Sequence, residues 1–225
     1  MAEETGRAGV LQPPAVSLAE RAYQAIREMI VSLELRPRAV IDERGLMEQL
    51  GIGRTPIREA LRRLAQERLV EVYPRRGMFV TSVEIRDLAS LAEVRSVLES
   101  AAARLAAERA TVDDREAVAD LLRQLERHAE LDQRELMALD EQIHRQVYHA
   151  ARNHFLEVSL EEYYVLALRI WYLALDSARE LEQAVLGHRE ILEAIRDGDA
   201  NRAEQAMRRH VVDFEEAMRQ VLTRS

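Results

Sequence analysis

Apolar residues recur at helical spacing along most of the chain, and this pattern predicts a mainly α-helical protein. A first helix should run from Ser17 to about Leu33, because Ser17 and Glu20 match a capping box ahead of regularly spaced apolar positions. A short second helix should follow an N-cap at Asp42 and stop at Gly51, a glycine in the usual C-terminal position.

A third helix and a change of period complete the first part of the chain. Thr55-Pro56 should open the helix, with Thr55 as its N-cap, because proline is preorganised for a first helical turn. Its inward positions are Ile57, Leu61 and Leu64. Residues 69–82, LVEVYPRRGMFVTS, then alternate in the manner of strands around a basic tip at residues 74–77. Three helices and a hairpin predict a winged helix-turn-helix over residues 17–82.

The remainder of the chain is expected to be an all-helical domain over residues 83–225. The predicted helices are 85–109, 112–130, 134–151, 154–176, 179–197 and 200–223. Their short connections favour a six-helix antiparallel bundle. Residues 1–16 have no sustained period and contain a Pro-Pro pair, so we expect a disordered tail.

Composition narrows the chemistry. The chain has no cysteine, which excludes disulfides, thiolate metal sites and thiol nucleophiles. It has no stretch of about 18 uncharged apolar residues and no leader-like segment, so we expect a cytoplasmic protein. The net charge of −8 is unevenly distributed: residues 1–82 carry 13 arginines against 11 acids, and the acidic excess lies beyond them. The acidic total therefore does not exclude DNA binding by the first domain.

Arginines on the predicted third helix suggest a DNA-reading surface. The second helix of a helix-turn-helix enters the major groove with its N-terminal residues against the bases, where Arg54, Thr55 and Arg58 would lie. Arginine can bond both acceptors of guanine. We expect DNA phosphates to be contacted by Arg44, Arg62 and Arg63. At the hairpin tip, we expect Arg75 and Arg76 to enter a minor groove or to contact the DNA backbone.

This first domain resembles the DNA-binding domain of the GntR family of bacterial transcription regulators. The resemblance is carried by LAERAYQAIREMIVSLEL and by ERGLMEQLGIGRTPIREALRRLAQERLVEVYPRRGMFVTS, with TPIREALRRL as its most specific part. It implies that operator DNA is bound by Arg44, Arg54, Thr55, Arg58 and the wing residue Gly77. Gly53 stands where relatives often have Ser or Thr, so a hydroxyl contact there is lost.

Four residues of the second domain have spacings that suit a metal site. Asp140 and His144 are four apart, so they share one helix face. His188 precedes the Gly198 turn by 10 residues and His210 follows it by 12, so antiparallel helices would hold them nearly level. Three imidazoles and a carboxylate suit Zn²⁺, Ni²⁺, Fe²⁺ or Mn²⁺. On spacing alone, His149 and His154 remain alternatives.

The second domain resembles the FCD effector domain of the FadR-like GntR subfamily, in its shorter six-helix variant. The matching stretches are EVRSVLESAAARLAAERAT, LDEQIHRQVYHAARN and GHREILEAIRDGDANRAEQAMRRH. In metal-binding members the ligands fall at Asp140, His144, His188 and His210. The resemblance also implies that Arg95 contacts a carboxylate effector and that Asn153 lines the pocket. Arg152 replaces a common glycine there, which leaves the local pocket shape open.

The combined prediction is a homodimeric, cytoplasmic transcription repressor. It would bind operator DNA, a divalent metal ion and a small organic-acid effector that modulates operator binding. A metal-dependent enzyme that uses the His/Asp site is the alternative, although no nucleophile or general base is recognisable beside these four residues. A helical protein-interaction module with solvated arginines is a third possibility.

Overall fold

The structure is a computed structural model that describes residues 17–82, 87–174 and 178–224. Contacts divide the chain into two compact units. The first unit contains the residues up to Ile30 together with Arg38–Thr81. The second unit contains Val31–Pro37 together with the residues from Ser82 onward. The predicted tail, residues 1–16, lies outside the described residues, and the domain boundary predicted between residues 82 and 83 stays a prediction.

The first unit contains three helices and a two-stranded sheet. Their bounds are α1 Leu18–Val31, α2 Glu43–Leu50, α3 Arg54–Gln66, β1 Val70–Tyr73 and β2 Gly77–Val80. Each helix buries one apolar face, and the buried side chains include Ile26, Ile30, Leu46, Ile57, Leu61 and Leu64. The helical spacing of these residues thus forms the core of the unit, as the sequence predicts.

The ends of α2 and α3 differ in how well the sequence anticipates them. The Asp42 side chain accepts a hydrogen bond from the Arg44 N–H, and Gly51 ends α2 with a φ of 65°, both as predicted. The prediction of Thr55 as N-cap is wrong. Gly53 is the N-cap of α3, and the Ile57 N–H donates to its carbonyl oxygen at 3.3 Å. Pro56 fits in the first turn because the N–H groups there have no intrahelical partner.

The predicted wing is confirmed as an antiparallel hairpin. The register runs from Val70 opposite Val80 to Tyr73 opposite Gly77, which leaves residues 74–76 as the tip. Gly77 has a φ of 105°, a backbone conformation that L side chains rarely adopt. The Tyr73 and Phe79 rings meet edge to face at 5.4 Å and thereby stiffen the sheet across its two strands.

The described part of the second unit contains seven α-helices and a 3-10 helix at His128–Glu130 instead of the six helices predicted. The α-helices are α4 Leu88–Arg109, α5 Val112–Glu126, α6 Gln133–Ala150, α7 His154–Ala174, α8 Ala178–Leu186, α9 Arg189–Asp197 and α10 Ala200–Arg224. The helix predicted over residues 179–197 is interrupted at Gly187 and His188. The Gly187 N–H is shared between the carbonyls of Gln183 and Ala184, and the His188 N–H bonds to the Val185 carbonyl, three residues back. The mainly α fold class is confirmed, and only the helix count changes.

Short turns and caps set the directions of these helices. Thr111 and Asp114 form a complete capping box at α5, and Asp132 and Glu135 form another at α6. Gly198, with a φ of 74°, ends α9 and sends the chain directly into α10. Among the described residues, no helix combines the length and apolarity that crossing a bilayer requires.

Candidate metal centre and nucleic-acid interface

Three histidines converge in the interior of the second unit. His144 lies on α6, His188 immediately precedes α9, and His210 lies on α10. Each offers a ring nitrogen, and these atoms lie within 4.8 Å of one another. The exposed fractions are 1%, 0% and 9%. Such a dry cluster of imidazoles is able to hold a metal ion.

The sequence brings these rings together through two glycines. The Gly198 turn makes α9 and α10 neighbours, and the prediction that His188 and His210 lie level is confirmed by a ring-centre distance of 4.0 Å. Gly187 provides room, since a Cβ added there would lie 3.3 Å from Nδ1 of His210 and 3.1 Å from the Ala184 carbonyl oxygen. The absence of a side chain at Gly187 therefore leaves room for the His210 ring.

Hydrogen bonds orient the His188 ring. Nδ1 of His188 lies 3.1 Å from the carbonyl oxygen of Val185. A carbonyl only accepts, so Nδ1 carries the proton and Nε2 presents a lone pair. That Nε2 lies 3.1 Å from Nε2 of His144. Fixing one ring nitrogen through an outer hydrogen bond is how proteins commonly present the other to a metal.

Burial keeps two of the rings neutral. It lowers the pKa of His188 to about 4, with Asp140 opposing the shift and His144 adding to it. Burial, reinforced by His188 and His144, holds the pKa of His210 well below its ordinary value. Neutral imidazoles retain the lone pairs that ligation requires.

The nitrogen spacing fits a single ion. Two nitrogens at about 2.0–2.1 Å from a tetrahedral zinc would lie about 3.3–3.4 Å apart. The observed 3.1 Å between the Nε2 atoms of His144 and His188 is close to that value. The donor set, three imidazoles with a carboxylate nearby, is suited to several divalent transition metals.

Asp140, the fourth predicted ligand, lies at the edge of the histidine cluster. Its Oδ2 is 3.9 Å from Nε2 of His144, and its Oδ1 is 3.7 Å from Nδ1 of His188. The hydroxyl of Tyr164 donates to Oδ2 at 2.7 Å. Asp140 is 2% exposed. Its carboxylate is therefore held beside the rings by Tyr164, but the group of atoms close enough to share one ion contains only the three histidines.

Arg95 lies next to the cluster, but it already has a carboxylate partner. Its Nε donates to Oε1 of Glu99 at 2.5 Å, one helical turn away on α4. Oε2 of the same carboxylate lies 3.3 Å from Nδ1 of His144. Burial alone would raise the pKa of Glu99, but Arg95 and His144 bring it to about 2. Sequence reasoning missed Glu99, although Arg95 and Glu99 have the four-residue spacing of a helix pair.

Arg95, Asp140, His144 and His210 line a small cavity, together with Tyr164, Trp171 and Phe214. Its volume, about 10 Å³ of space open to the centre of a water molecule, is roughly what one water needs. An organic acid would therefore have to displace some of these side chains. Tyr164 is another residue that the sequence did not mark, and only the tertiary fold brings it to Asp140.

Asn153 does not join this group: the described residues that form the cavity wall do not include it. Its Oδ1 instead accepts from the Leu156 N–H in the first turn of α7. Arg152 has a φ of 50°, which agrees with a position that favours glycine, and its side chain pairs with Asp114 at 2.5 Å. His149 and His154, the alternative ligands, are both exposed. The effector-binding role of Asn153 stays a prediction.

Exposed basic side chains follow one face of α3. Arg54, Arg58 and Arg62 are spaced by four residues, opposite the buried apolar face, and Thr55 is exposed beside them. Nε of Arg58 lies 3.6 Å from the Glu43 carboxylate. Such half-exposed pairs are weak, so the guanidinium can exchange this partner for DNA. Arg44 on α2 is also exposed and pairs with Glu48 at 3.0 Å.

Arg63 turns away from that face toward α1. Its guanidinium carbon lies 3.6 Å from the centre of the Tyr23 ring. It also donates to Glu20 at 2.8 Å and to Glu67 at 3.2 Å. Burial, with the neighbouring Glu67 carboxylate, raises the pKa of Tyr23 to about 12. Arg63 is therefore part of the packing between α1 and α3, and its predicted phosphate contact remains untested.

The hairpin tip presents the other predicted DNA contacts. Arg75 and Arg76 are exposed at the tip, and Gly77 directly follows them at the start of β2. Arg75 has a φ of 65°, so the tip turns tightly enough for the Arg76 N–H to bond the Tyr73 carbonyl at 3.0 Å. Both arginines are therefore accessible to a partner at the tip of the wing.

A winged helix-turn-helix with an exposed basic helix defines a class of protein, the DNA-binding transcription regulators. Residues 18–80 match the bacterial regulatory proteins of the gntR family, and residues 90–213 match the FCD domain. The chain belongs to the GntR family and carries an FCD effector-binding domain, as the sequence resemblance implies.

Individual relatives agree with this assignment. An HTH-type transcriptional regulator in an unstable DNA locus of Streptomyces ambofaciens is 33% identical over 84% of this chain and 80% of its own. The HTH-type transcriptional repressor RspR of Escherichia coli is 24% identical over 92% of each chain. The solved structure of E. coli McbR/YncC superposes with a TM-score of 0.78 at 25% identity, covering 92% of this chain and 99% of that one. The protein is a transcription regulator.

Proposed function

We propose that this regulator is a homodimeric repressor whose helical domain binds a divalent metal ion and a small carboxylate effector that weakens operator binding. The observation that carries the proposal is the buried convergence of His144, His188 and His210 beside Arg95. The name of the E. coli relative RspR, a transcriptional repressor, supports the direction of regulation.

The metal would be held by the three histidines and Asp140. Neutral rings, a nearby carboxylate and a nitrogen separation of 3.1 Å support this assignment. A bound ion would supply open coordination positions for an effector oxygen. Arg95 would pair with the carboxylate of the effector, in a strong charge-assisted contact. Asn153 would act only if the cavity enlarges toward it.

Charge balance supports an effector with one carboxylate. A divalent ion and Arg95 would bring three positive charges to the cavity, against one negative charge each on Asp140 and Glu99. The neutral histidines add none. One positive charge remains, and an effector monoanion offsets it in a site where unbalanced charge is costly. A second carboxylate would find no counter-charge among these groups.

Effector binding would favour one arrangement of the helical domain. The cavity has room for about one water, so an organic acid requires a more open arrangement. A ligand shifts an equilibrium by as much as it prefers one state over another. The open arrangement would be the one with weaker operator binding.

The DNA interface would use the exposed face of α3 and the wing. Arg54, Thr55 and Arg58 would meet base edges, and the phosphate contacts would come from Arg44 and Arg62. Arg75 and Arg76 would reach DNA from the wing, where Gly77 permits the turn. Arg63, engaged with Tyr23, would contribute to phosphate binding least.

A homodimer would place two such interfaces on a pseudo-palindromic operator, since operator symmetry mirrors protein symmetry. Val94 and Val97, less than one turn apart on α4, are exposed apolar side chains and support a subunit contact there.

The test combines metal analysis, thermal shift and DNA binding on the full-length protein. We expect one divalent ion per chain, and a rise in melting temperature with hydroxy acids or sugar acids that carry one carboxylate. The same acids should release the protein from an operator selected out of random DNA. Dicarboxylates of matched length should act more weakly.

Metal-free protein is the matched control, prepared by dialysis against a chelator. It should lose the thermal response to the acids. An equal response with and without metal would overturn the proposed role of the ion, and a stronger response to dicarboxylates would overturn the charge argument.

A further inference from the structure

The indole N–H of Trp171 is a buried donor in the residue set that lines the cavity. Trp171 is 3% exposed, and its Nε1 has no hydrogen-bond partner among the described residues. A buried N–H without an acceptor costs free energy, so folded proteins contain few of them. We propose that Trp171 donates this hydrogen bond to an uncharged oxygen of the effector. The inference rests on the proposed function, because it requires an effector that enters this cavity.

One face of α7 brings Trp171 to the cavity wall. That face is formed by residues at helical spacing, Tyr164, Ala167, Leu168 and Trp171. The Tyr164 hydroxyl donates to Asp140, and the Tyr164 ring lies 4.6 Å from the ring of His144. Trp171 follows two turns later, about 10 Å along the helix axis. The indole therefore belongs to a part of the wall away from Asp140 and His144.

Phe214 connects the indole with the group proposed to bind the carboxylate. The rings of Trp171 and Phe214 meet edge to face, with their centres 5.5 Å apart. The guanidinium carbon of Arg95 lies 5.4 Å from the centre of the same Phe214 ring. An aromatic face is a weak acceptor, so packing against Phe214 does not satisfy the indole N–H as an oxygen would. An effector whose carboxylate pairs with Arg95 would therefore extend along Phe214 and present a second oxygen to Trp171.

The composition of the wall favours a neutral oxygen at Trp171. Arg95 is the only arginine among the described lining residues, which also include the apolar Ala167, Leu168, Ala184 and Phe214. A second carboxylate at the indole would lack a cation of its own, whereas a hydroxyl or carbonyl oxygen accepts the hydrogen bond without adding charge. The indole is already removed from water in the unliganded protein, so it gives up no hydrogen bond to water when the effector binds. We expect an effector with one carboxylate and an acceptor oxygen several bonds away from it.

The experiment compares acids of equal charge and chain length: hexanoate, 2-hydroxyhexanoate and 6-hydroxyhexanoate. The full-length protein is titrated with each acid in the presence of Zn²⁺, and the rise in melting temperature gives the relative affinities. We expect 6-hydroxyhexanoate to bind roughly 10-fold more tightly than the other acids, the effect of one good hydrogen bond. Trp171→Phe retains an aromatic ring, so it should bind hexanoate like the wild type and lose the preference for 6-hydroxyhexanoate. Tyr163→Phe is the control, since it removes a donor of α7 that is not among the described lining residues, and it should keep the preference.

Trp171 is the single tryptophan of the chain, which permits a direct readout. Nitrogen-15 labelling of tryptophan gives one indole N–H signal in NMR. Its proton should move downfield when 6-hydroxyhexanoate binds and should change little with hexanoate. Should Trp171→Phe fail to fold, the preference of the wild type and this signal still decide.

The outcomes separate this inference from the proposed function. Equal binding of the three acids, or an indole signal that does not respond to bound 6-hydroxyhexanoate, would overturn the role of Trp171 and leave the proposed function standing. A preference for 2-hydroxyhexanoate would overturn the position of the oxygen away from the carboxylate. If no acid raises the melting temperature of the wild type, the carboxylate effector and this inference are both wrong.

Discussion

The histidine cluster and the basic face of α3 both rest on side chains at helical spacing, but the fold treats them differently. His188 is fully buried, with one ring nitrogen fixed by Val185 and the other facing His144. Arg54, Arg58 and Arg62 face solvent. The folded chain itself therefore fixes the orientation of the His188 ring, whereas the contacts of the arginines depend on a binding partner.

The comparison predicts different responses to mutation. In the cluster, one substitution removes a ring nitrogen that would bind the metal. Solvent cannot readily replace it, because the rings are buried. On the exposed face, one arginine is one of several contacts, and its loss should be graded and dependent on salt.

The largest effect is expected for His188→Ala. Loss of this ligand should weaken Zn²⁺ binding by roughly 100-fold or more, beyond the effect of losing an outer partner. Elemental analysis after gel filtration and chelator competition would measure the loss. Operator affinity without effector should change little, because the proposed DNA contacts lie in the other unit.

His149→Ala is the matched control, since His149 is an exposed histidine that pairs with Glu157 at 3.5 Å. It should retain wild-type metal content. If His188→Ala also retains its metal, His188 is not a ligand and the cluster is a buried structural network.

A smaller effect is expected for Arg58→Ala. Losing a bidentate contact to guanine should cost about 1–3 kcal/mol of operator binding, or roughly 5- to 150-fold, and should relax the preference at one base pair. Fluorescence anisotropy with the operator and its single-base variants would measure both effects. Arg123→Ala, an exposed arginine of α5, is the control. Unchanged affinity and unchanged base preference would remove Arg58 from base readout.

The sequence predicts most of this fold because its signals are local. The cap at Asp42, the glycine stop at Gly51 and the wing hairpin each depend on a few neighbouring residues, and the structure has them. The level placement of His188 and His210 also follows from counting along two helices around one turn.

The failures have a tertiary cause. Gly187 reads as one tolerated glycine in a helix, because the His210 ring that a side chain there would crowd lies on another helix. Glu99 reads as ordinary helix surface until α6 brings His144 to it. Asn153 is a different case. The resemblance implies that it lines the pocket, but it is not among the described residues that form the cavity wall.

The smallest effect separates two adjacent arginines, Arg62 and Arg63. Arg62 is exposed on the α3 face, whereas Arg63 lies over Tyr23 and pairs with Glu20 and Glu67. Arg63→Ala should lower the free energy of unfolding by about 1 kcal/mol, since cation–π and surface ion pairs each contribute about 0.5–1 kcal/mol. Arg62→Ala should leave stability unchanged and reduce the salt dependence of operator binding by about one counterion. Urea unfolding and anisotropy at several salt concentrations would measure the two effects. Equal losses of stability would mean that the two side chains exchange places in solution, whereas a larger loss of salt dependence for Arg63→Ala would return Arg63 to the phosphate-binding face.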